Sequence, residues 1–405
     1  MKLDVLGLLG ACSYALDCVE AELVHVVTHH AKRVAYMSVK TAQKLGVEDA
    51  AALRDLAACA LLHDNALTQY IQEELSGETY RTRLDGELRL GQHCIAGEAN
   101  ILRLPFQTDV KGIILYHHEC ADGSGPFGKL WQEIPPGARI VHLCDQLDVD
   151  CGAALSTEAA WQCVTEFLSK TEGRTVDTEC CRAFREAFSE NTYRRLGTEG
   201  LDELFWSEVP REVRELPFSD VRAVADFFAR IVDYKSPFTS THSVGVARCA
   251  QRLSRYMGLG EATAQQMYLA GALHDIGKVA VGNEILEKPG KLTDEEFSQM
   301  KHHAAYSYAI LSEVRHFETL RDWASFHHER LDGTGYPFGK TAAQLNLQER
   351  IMAVADVYQA LTEKRPYKDG MPHERAVMIL QNMAAKGWLD ASVVLAADEC
   401  FRRQG

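Results

Sequence analysis

Seven metal-capable side chains occur twice in this chain at matched spacing. His242, His274, Asp275, His303, His327, His328 and Asp356 repeat His30, His63, Asp64, His93, His117, His118 and Asp145 at offsets of 210 to 212 residues. The intervals inside the two sets agree to within one residue at every step, which marks a duplicated domain and not one continuous core. The copying reaches beyond these residues. HHECADGSGPFG at 117–128 matches HHERLDGTGYPFG at 327–339, and GRTVDTECCRAF at 173–184 loosely parallels GWLDASVVLAADECF at 387–401. The 405 residues therefore divide into two domains, predicted as 1–205 and 220–405, with 206–219 as a linker of mixed charge carrying two prolines.

Apolar residues recur three and four apart in VHVVTHHAKRVAYMSVKTAQKL, SVGVARCAQRLSRYM and QERIMAVADVYQALTE, whereas strand-like alternation is scarce. The expected fold class is all-α, two tandem helical domains. Gly, Pro and Asp clusters at 121–128, 287–294 and 332–340 mark loops, and Thr293 with Glu296 predicts a capping box ahead of the helix carrying His302 and His303.

Composition excludes several classes. At 46% hydrophobic and 25% charged the chain reads as an ordinary globular protein. The opening residues meet Asp and Glu too early for a signal peptide, and no stretch is long and apolar enough to span a bilayer, so a cytoplasmic protein without membrane contact is expected. A net charge of -14 opposes a general DNA or RNA binder, while leaving room for a small anionic ligand held by local basic groups. The twelve cysteines show no CxxC spacing, so most are expected as reduced thiols in helical cores.

Imidazoles and carboxylates together suit Mn, Fe, Zn or Ni, and two close ions need five to eight such groups. Each half supplies seven. Asp275 directly follows His274 and is placed to serve two ions, and Asp356 is an acid inside the apolar run IMAVADVY, where an unpaired buried carboxylate would be costly. Adjacent His327 and His328 can reach one ion only near a helix end, which Asp332-Gly333 supplies. His25, His29, His142, His302, His316 and His373 have no counterpart in the other half and are read as ordinary core or surface residues.

THSVGVA at 241–247, LHDIGK at 273–278, His303 with the following YAIL, HHERLDGTGYP at 327–337, and Asp356 with RPYK at 365–368 together resemble the HD-GYP branch of the HD phosphohydrolases. The resemblance covers nearly all of 220–405, and 10–195 resembles the same fold in divergent form. It implies an all-α metal-dependent phosphodiesterase hydrolysing a cyclic dinucleotide, chiefly cyclic di-GMP, to the linear dinucleotide or GMP. His242, His274, Asp275, His303, His327, His328 and Asp356 would be metal ligands. Lys278 would meet phosphate beside the attacking oxygen, so Asp275 and Lys278 are the implied catalytic pair. Gly335, Tyr336 and Pro337 form the signature loop, and Arg365 and Lys368 would bind substrate phosphate. Three-metal members carry a Glu just before the first His; residues 234–241 contain no carboxylate, so two transition-metal ions, iron or manganese, are expected. The implied chemistry is attack by water activated between two cations.

The first half keeps the ligands and loses the substrate groups. Lys278 corresponds to Leu67, Arg365 to Ala154, and Gly125 runs directly into Pro126 with no tyrosine between. One or two metals without turnover, in a regulatory or dimerising module, is the expectation; a relic whose histidines bond to each other is the alternative. A homodimer is compatible with either. Two rivals to cyclic di-GMP hydrolysis stay open: hydrolysis of cyclic GMP-AMP or another nucleotide phosphoester, and a silent cyclic dinucleotide sensor or scaffold.

Overall fold

The computed structural model describes residues 1–13, 29–66, 87–198, 200–234, 242–286, 288, 290–364 and 369–402. Its contacts divide the chain into two units, Asp4–Val213 and Arg214–Gly405, the second taking in Met1–Leu3. The interval 206–219, read from sequence as a linker, holds the end of the helix Leu201–Glu208, the strand Arg214–Glu215 and the first residues of the helix Phe218–Tyr234. Lys2 and Leu3 pair antiparallel with Glu215 and Arg214, and the terminal ammonium donates to Leu216 O at 2.7 Å. Two-residue strands leave no periodicity to read.

Both units are helical. In the N-terminal unit the elements that matter are α1 (His30–Lys44), α2 (Ala50–Leu61), α3 (Glu87–Ile101) and α4 (Pro136–Cys151). In the C-terminal unit they are α5 (Phe218–Tyr234), α6 (His242–Tyr256), α7 (Glu261–Leu273), α8 (Asp294–Ser312), α9 (Glu318–Ser325) and α10 (Leu347–Thr362). The start of α8 is built as the sequence suggests. Thr293 accepts from Glu296 N while the Glu296 carboxylate takes Thr293 N, and Asn346 with Glu349 repeats the arrangement at α10. Each such cap contributes about 1 kcal/mol by satisfying otherwise orphaned amides.

The two helices nearest the metal-capable residues approach closely. A Cβ at Gly271 on α7 would lie 2.7 Å from Ala247 Cα on α6, so only glycine permits this crossing. Val246, Ala247, Ala250 and Leu253 on α6 and Leu269, Ala270, Ala272 and Leu273 on α7 are buried there. The short side chains bring the backbones together, and the first residue of α6 meets the residues just past α7.

Most cysteines among the described residues are free thiols, as expected, with Cys59, Cys144, Cys180 and Cys181 buried, while Cys151 and Cys163 form a disulfide. No helix among the described residues is long and apolar enough to cross a membrane.

Candidate metal centres

In the C-terminal unit every predicted ligand converges. His242 opens α6, and His274 and Asp275 follow the last turn of α7. His303 lies on the buried face of α8, His327 and His328 just past α9, and Asp356 on the buried face of α10. Nδ1 of His274, His303 and His327 faces the carbonyl three residues back, in Gly271 at 2.7 Å, Met300 at 2.6 Å and Ala324 at 2.7 Å. A carbonyl can only accept, so each Nδ1 carries the proton and each Nε2 keeps its lone pair.

Those lone pairs meet the two carboxylates. His274 Nε2 is 3.1 Å from Asp275 Oδ2, while His303 Nε2 and His327 Nε2 lie 3.4 and 3.8 Å from Asp275 Oδ1. Asp275 thus turns one oxygen to each group of imidazoles. Asp356 stands 3.2 Å from His242 Nε2 through Oδ1 and 3.8 Å from His328 Nδ1 through Oδ2. Two donors about 2.1 Å from one cation are separated by roughly 3.0–3.4 Å, so several of these contacts have the length of the edges of a coordination shell. His274 Nε2 and Asp275 Oδ1 are buried and make no hydrogen bond. Buried polar atoms left this way are costly unless a further group binds them, and the donor set therefore fits divalent transition ions.

Ionisation follows from burial and neighbours. For Asp275 and Asp356 burial favours the neutral acid, but surrounding imidazoles, with Lys278 beside Asp275, win and hold both carboxyls well below their usual range. Burial pushes His328 down to about 3 and His327 well below its ordinary value, which leaves their lone pairs available. For His242 burial works downward and is outweighed by bonds to Asp356 and Glu363, which raise it to about 9. A cation held at His242 would therefore displace a proton.

Substrate-side residues are placed unevenly. Lys278 Nζ is 2.5 Å from Asp275 Oδ2. The Tyr336 ring centre lies 4.7 Å from that of His328 and 6.3 Å from that of His303. The loop is held by Glu329, whose carboxylate accepts from Phe338 N at 2.7 Å and Lys340 N at 2.8 Å. Gly335 crosses this glutamate so closely that a Cβ would be 2.5 Å from Glu329 Cα. Gly335→Ala is expected to destabilise the unit by about 1–3 kcal/mol through overpacking and to lower activity by displacing Tyr336; thermal unfolding and turnover together check it. Leu67, Arg365, Lys368 and residues 235–241 lie outside the described residues.

The N-terminal set assembles in the same pattern. His30 Nε2 and His63 Nε2 are 3.2 and 3.5 Å from Asp145 Oδ1, and His93 Nε2 and His117 Nε2 are 3.3 and 3.5 Å from Asp64 Oδ1. His118 Nδ1 is 4.0 Å from Asp145 Oδ2. Glu119 holds its loop as Glu329 does, accepting from Phe127 N at 2.6 Å and Lys129 N at 2.5 Å.

Sequence reasoning missed several supports. Glu363 Oε2 is 3.3 Å from His242 Nδ1; it sits seven residues past Asp356, and that two-turn spacing was the available signal. In the N-terminal unit His30 Nδ1 donates instead to Asp148 at 2.7 Å, and Arg33 clamps the same carboxylate through Nε at 2.7 Å and Nη2 at 2.8 Å. His142, read as a core residue, is buried with Nδ1 2.9 Å from His117 O.

The HD domain family matches residues 17–162 and 226–393. The 3'3'-cGAMP-specific phosphodiesterase 1 of Vibrio cholerae is 30% identical over 392 residues, covering 94% of this chain and 88% of that protein. A cyclic di-GMP phosphodiesterase of Pseudomonas aeruginosa is 45% identical over 141 residues, 35% of this chain and 34% of that one. The crystal structure of a cyclic GMP-AMP specific phosphodiesterase of V. cholerae, V-cGAP3, superposes with a TM-score of 0.69 at 22% identity, covering 100% of this chain and 99% of that chain.

Proposed function

This chain belongs to the HD domain family, and from that membership we propose that residues 220–405 hydrolyse a cyclic dinucleotide, with cyclic di-GMP as the principal substrate. The observation that carries the reading is that seven donors, Lys278 and Tyr336 converge in one unit. His242, His274, Asp275, His303, His327, His328 and Asp356 would hold two transition ions, iron or manganese. When bound, such ions supply Lewis acidity and lower the pKa of water.

The remaining work falls to side chains of this chain. Asp275, with its oxygens turned to different imidazoles, holds the two halves of the ligand set in register. Burial would strip the Lys278 ammonium of its proton, but Asp275 more than offsets this and raises its pKa. Lys278 therefore stays charged and is positioned to meet a phosphate oxygen. Lys278→Met should lower turnover roughly 10²-fold, as loss of one charge-stabilising donor does, while metal content by elemental analysis stays at the wild-type level. Gly335, Tyr336 and Pro337 would line the substrate side, with Arg365 and Lys368 as phosphate contacts.

A second substrate has a specific observation in its favour. The relative that matches both halves acts by its name on 3'3'-cGAMP, whereas the cyclic di-GMP enzyme described above matches little more than a third of the chain. Equal amounts of cyclic di-GMP and cyclic GMP-AMP offered to iron- or manganese-loaded protein separate the two: preferential loss of the first supports the main reading, and preferential loss of the second replaces it. The N-terminal unit is read as metal-bearing without turnover, since its seven donors are retained while Tyr336 has no counterpart between Gly125 and Pro126.

A further inference from the structure

The two centres differ in one donor atom. Cys94 follows His93 on α3, and its sulfur lies 3.6 Å from His93 Nε2 and 3.8 Å from His117 Nδ1. The corresponding residue after His303 is Ala304, which has no donor. A sulfur about 2.3 Å and an imidazole nitrogen about 2.1 Å from one tetrahedral cation are separated by about 3.6 Å. The Cys94–His93 contact is therefore the length of a shared coordination edge.

Neighbouring groups complete the shell. His93, Cys94, His117 and His118 offer donor atoms that all lie within 4.8 Å of one another. His117 is fully buried; its Nδ1 faces Ile114 O at 2.6 Å, and its Nε2 makes no hydrogen bond. That nitrogen, and not the Nδ1 engaged by Ile114 O, has a lone pair, no solvent and no donor, and faces the likewise unbonded Asp64 Oδ1 at 3.5 Å, which is the condition of a ligand awaiting an ion. His30, His63 and Asp145 form a second group on their own and are not needed here.

We propose that His93, Cys94, His117 and His118 form a thiolate-bearing site for one four-coordinate divalent cation of zinc's class. This rests on the reading of the N-terminal unit as metal-bearing and extends it to ligand type and ion. On binding, the thiol proton leaves to solvent and the sulfur lone pair forms the bond to the cation, with no change of oxidation state. Thiolate selects softer ions than the all-nitrogen and oxygen set of the C-terminal unit. Four protein donors fill a tetrahedral shell, with the Asp64 carboxylate beside it, its Oδ1 3.3 Å from His93 Nε2 and 3.5 Å from His117 Nε2, so no position is left for water and the site is structural and not hydrolytic.

Cobalt(II) provides the test because a sulfur ligand gives it a near-ultraviolet charge-transfer band that nitrogen and oxygen ligands do not. The full chain, loaded with cobalt without oxygen, is expected to show that band together with strong visible absorption of four-coordinate cobalt. Cys94→Ala, which installs the residue the other half carries at Ala304, should abolish the near-ultraviolet band and weaken cobalt binding at this site at least tenfold by competition with a chelator. A wild-type spectrum without the band, or a band that survives Cys94→Ala, overturns the proposal. Cobalt content then tells which premise failed. More than two ions per chain leaves an N-terminal metal bound without Cys94, and no more than two removes N-terminal metal binding altogether, with the C-terminal reading untouched in both cases.

Discussion

His274→Ala combined with Asp275→Ala should reduce hydrolysis by at least about a thousandfold, because loss of a single electrostatic stabiliser already costs roughly 10²–10³ in rate and this change removes the shared carboxylate as well. Asp275 alone faces His274, His303 and His327 within 3.8 Å. Without it the three imidazoles have no common acidic partner, and bound metal at the C-terminal centre should fall in step with rate. His63→Ala with Asp64→Ala provides the contrast. It removes the equivalent pair from the N-terminal centre, so it should reduce total metal while the C-terminal ligands stay intact. Elemental analysis and turnover on both variants, measured side by side, check the assignment of chemistry to one half.

Arg33→Met is expected to produce the largest loss of stability, about 3–5 kcal/mol, since it strands a buried carboxylate. Arg33 and Asp148 are each 2% exposed, and the guanidinium binds both oxygens. His30 Nδ1 is the other partner of that carboxylate, so the effect should reach the metal-capable residues directly. Adding Asp148→Asn should recover a large part of the loss, because the penalty lies in the unpaired charge and not in the missing contact. Hydrogen exchange in α1 reads this locally: protection there should drop sharply in the single variant and partly return in the double one. Equal loss in both would mean the clamp acts only through packing.

The ligand sets were legible because duplication provides its own control: a histidine that recurs at one offset in two otherwise divergent halves is separated at once from His142 or His373, which do not recur. The cap at Thr293 was legible, being a local pattern of a few residues; the one at Asn346 has the same spacing and was not read. What escaped was whatever the two halves solved differently. The carboxylate behind the first histidine is Asp148 with Arg33 in one unit and Glu363 in the other, and the positions equivalent to Asp148 and Arg33 are Gln359 and Gly245. A Cβ at Gly245 would collide with the Gln359 amide, so Gln359 as it lies requires the glycine. Cys94 escaped for the same reason, its counterpart being Ala304. Glu119 and Glu329 recur faithfully, yet their role of gathering loop amides from eight to eleven residues onward depends on a fold-back that exists only in the folded chain.

In the proposed reaction the C-terminal centre opens a phosphodiester with water. Turnover of a cyclic dinucleotide by the metal-loaded full chain in ¹⁸O-labelled water tests it most directly, with the product resolved by mass. One labelled oxygen is expected in each newly formed terminal phosphate, and no product from the His274→Ala, Asp275→Ala variant. A product without label, unchanged product from that variant, or no product from either cyclic di-GMP or cyclic GMP-AMP with iron or manganese bound would contradict it.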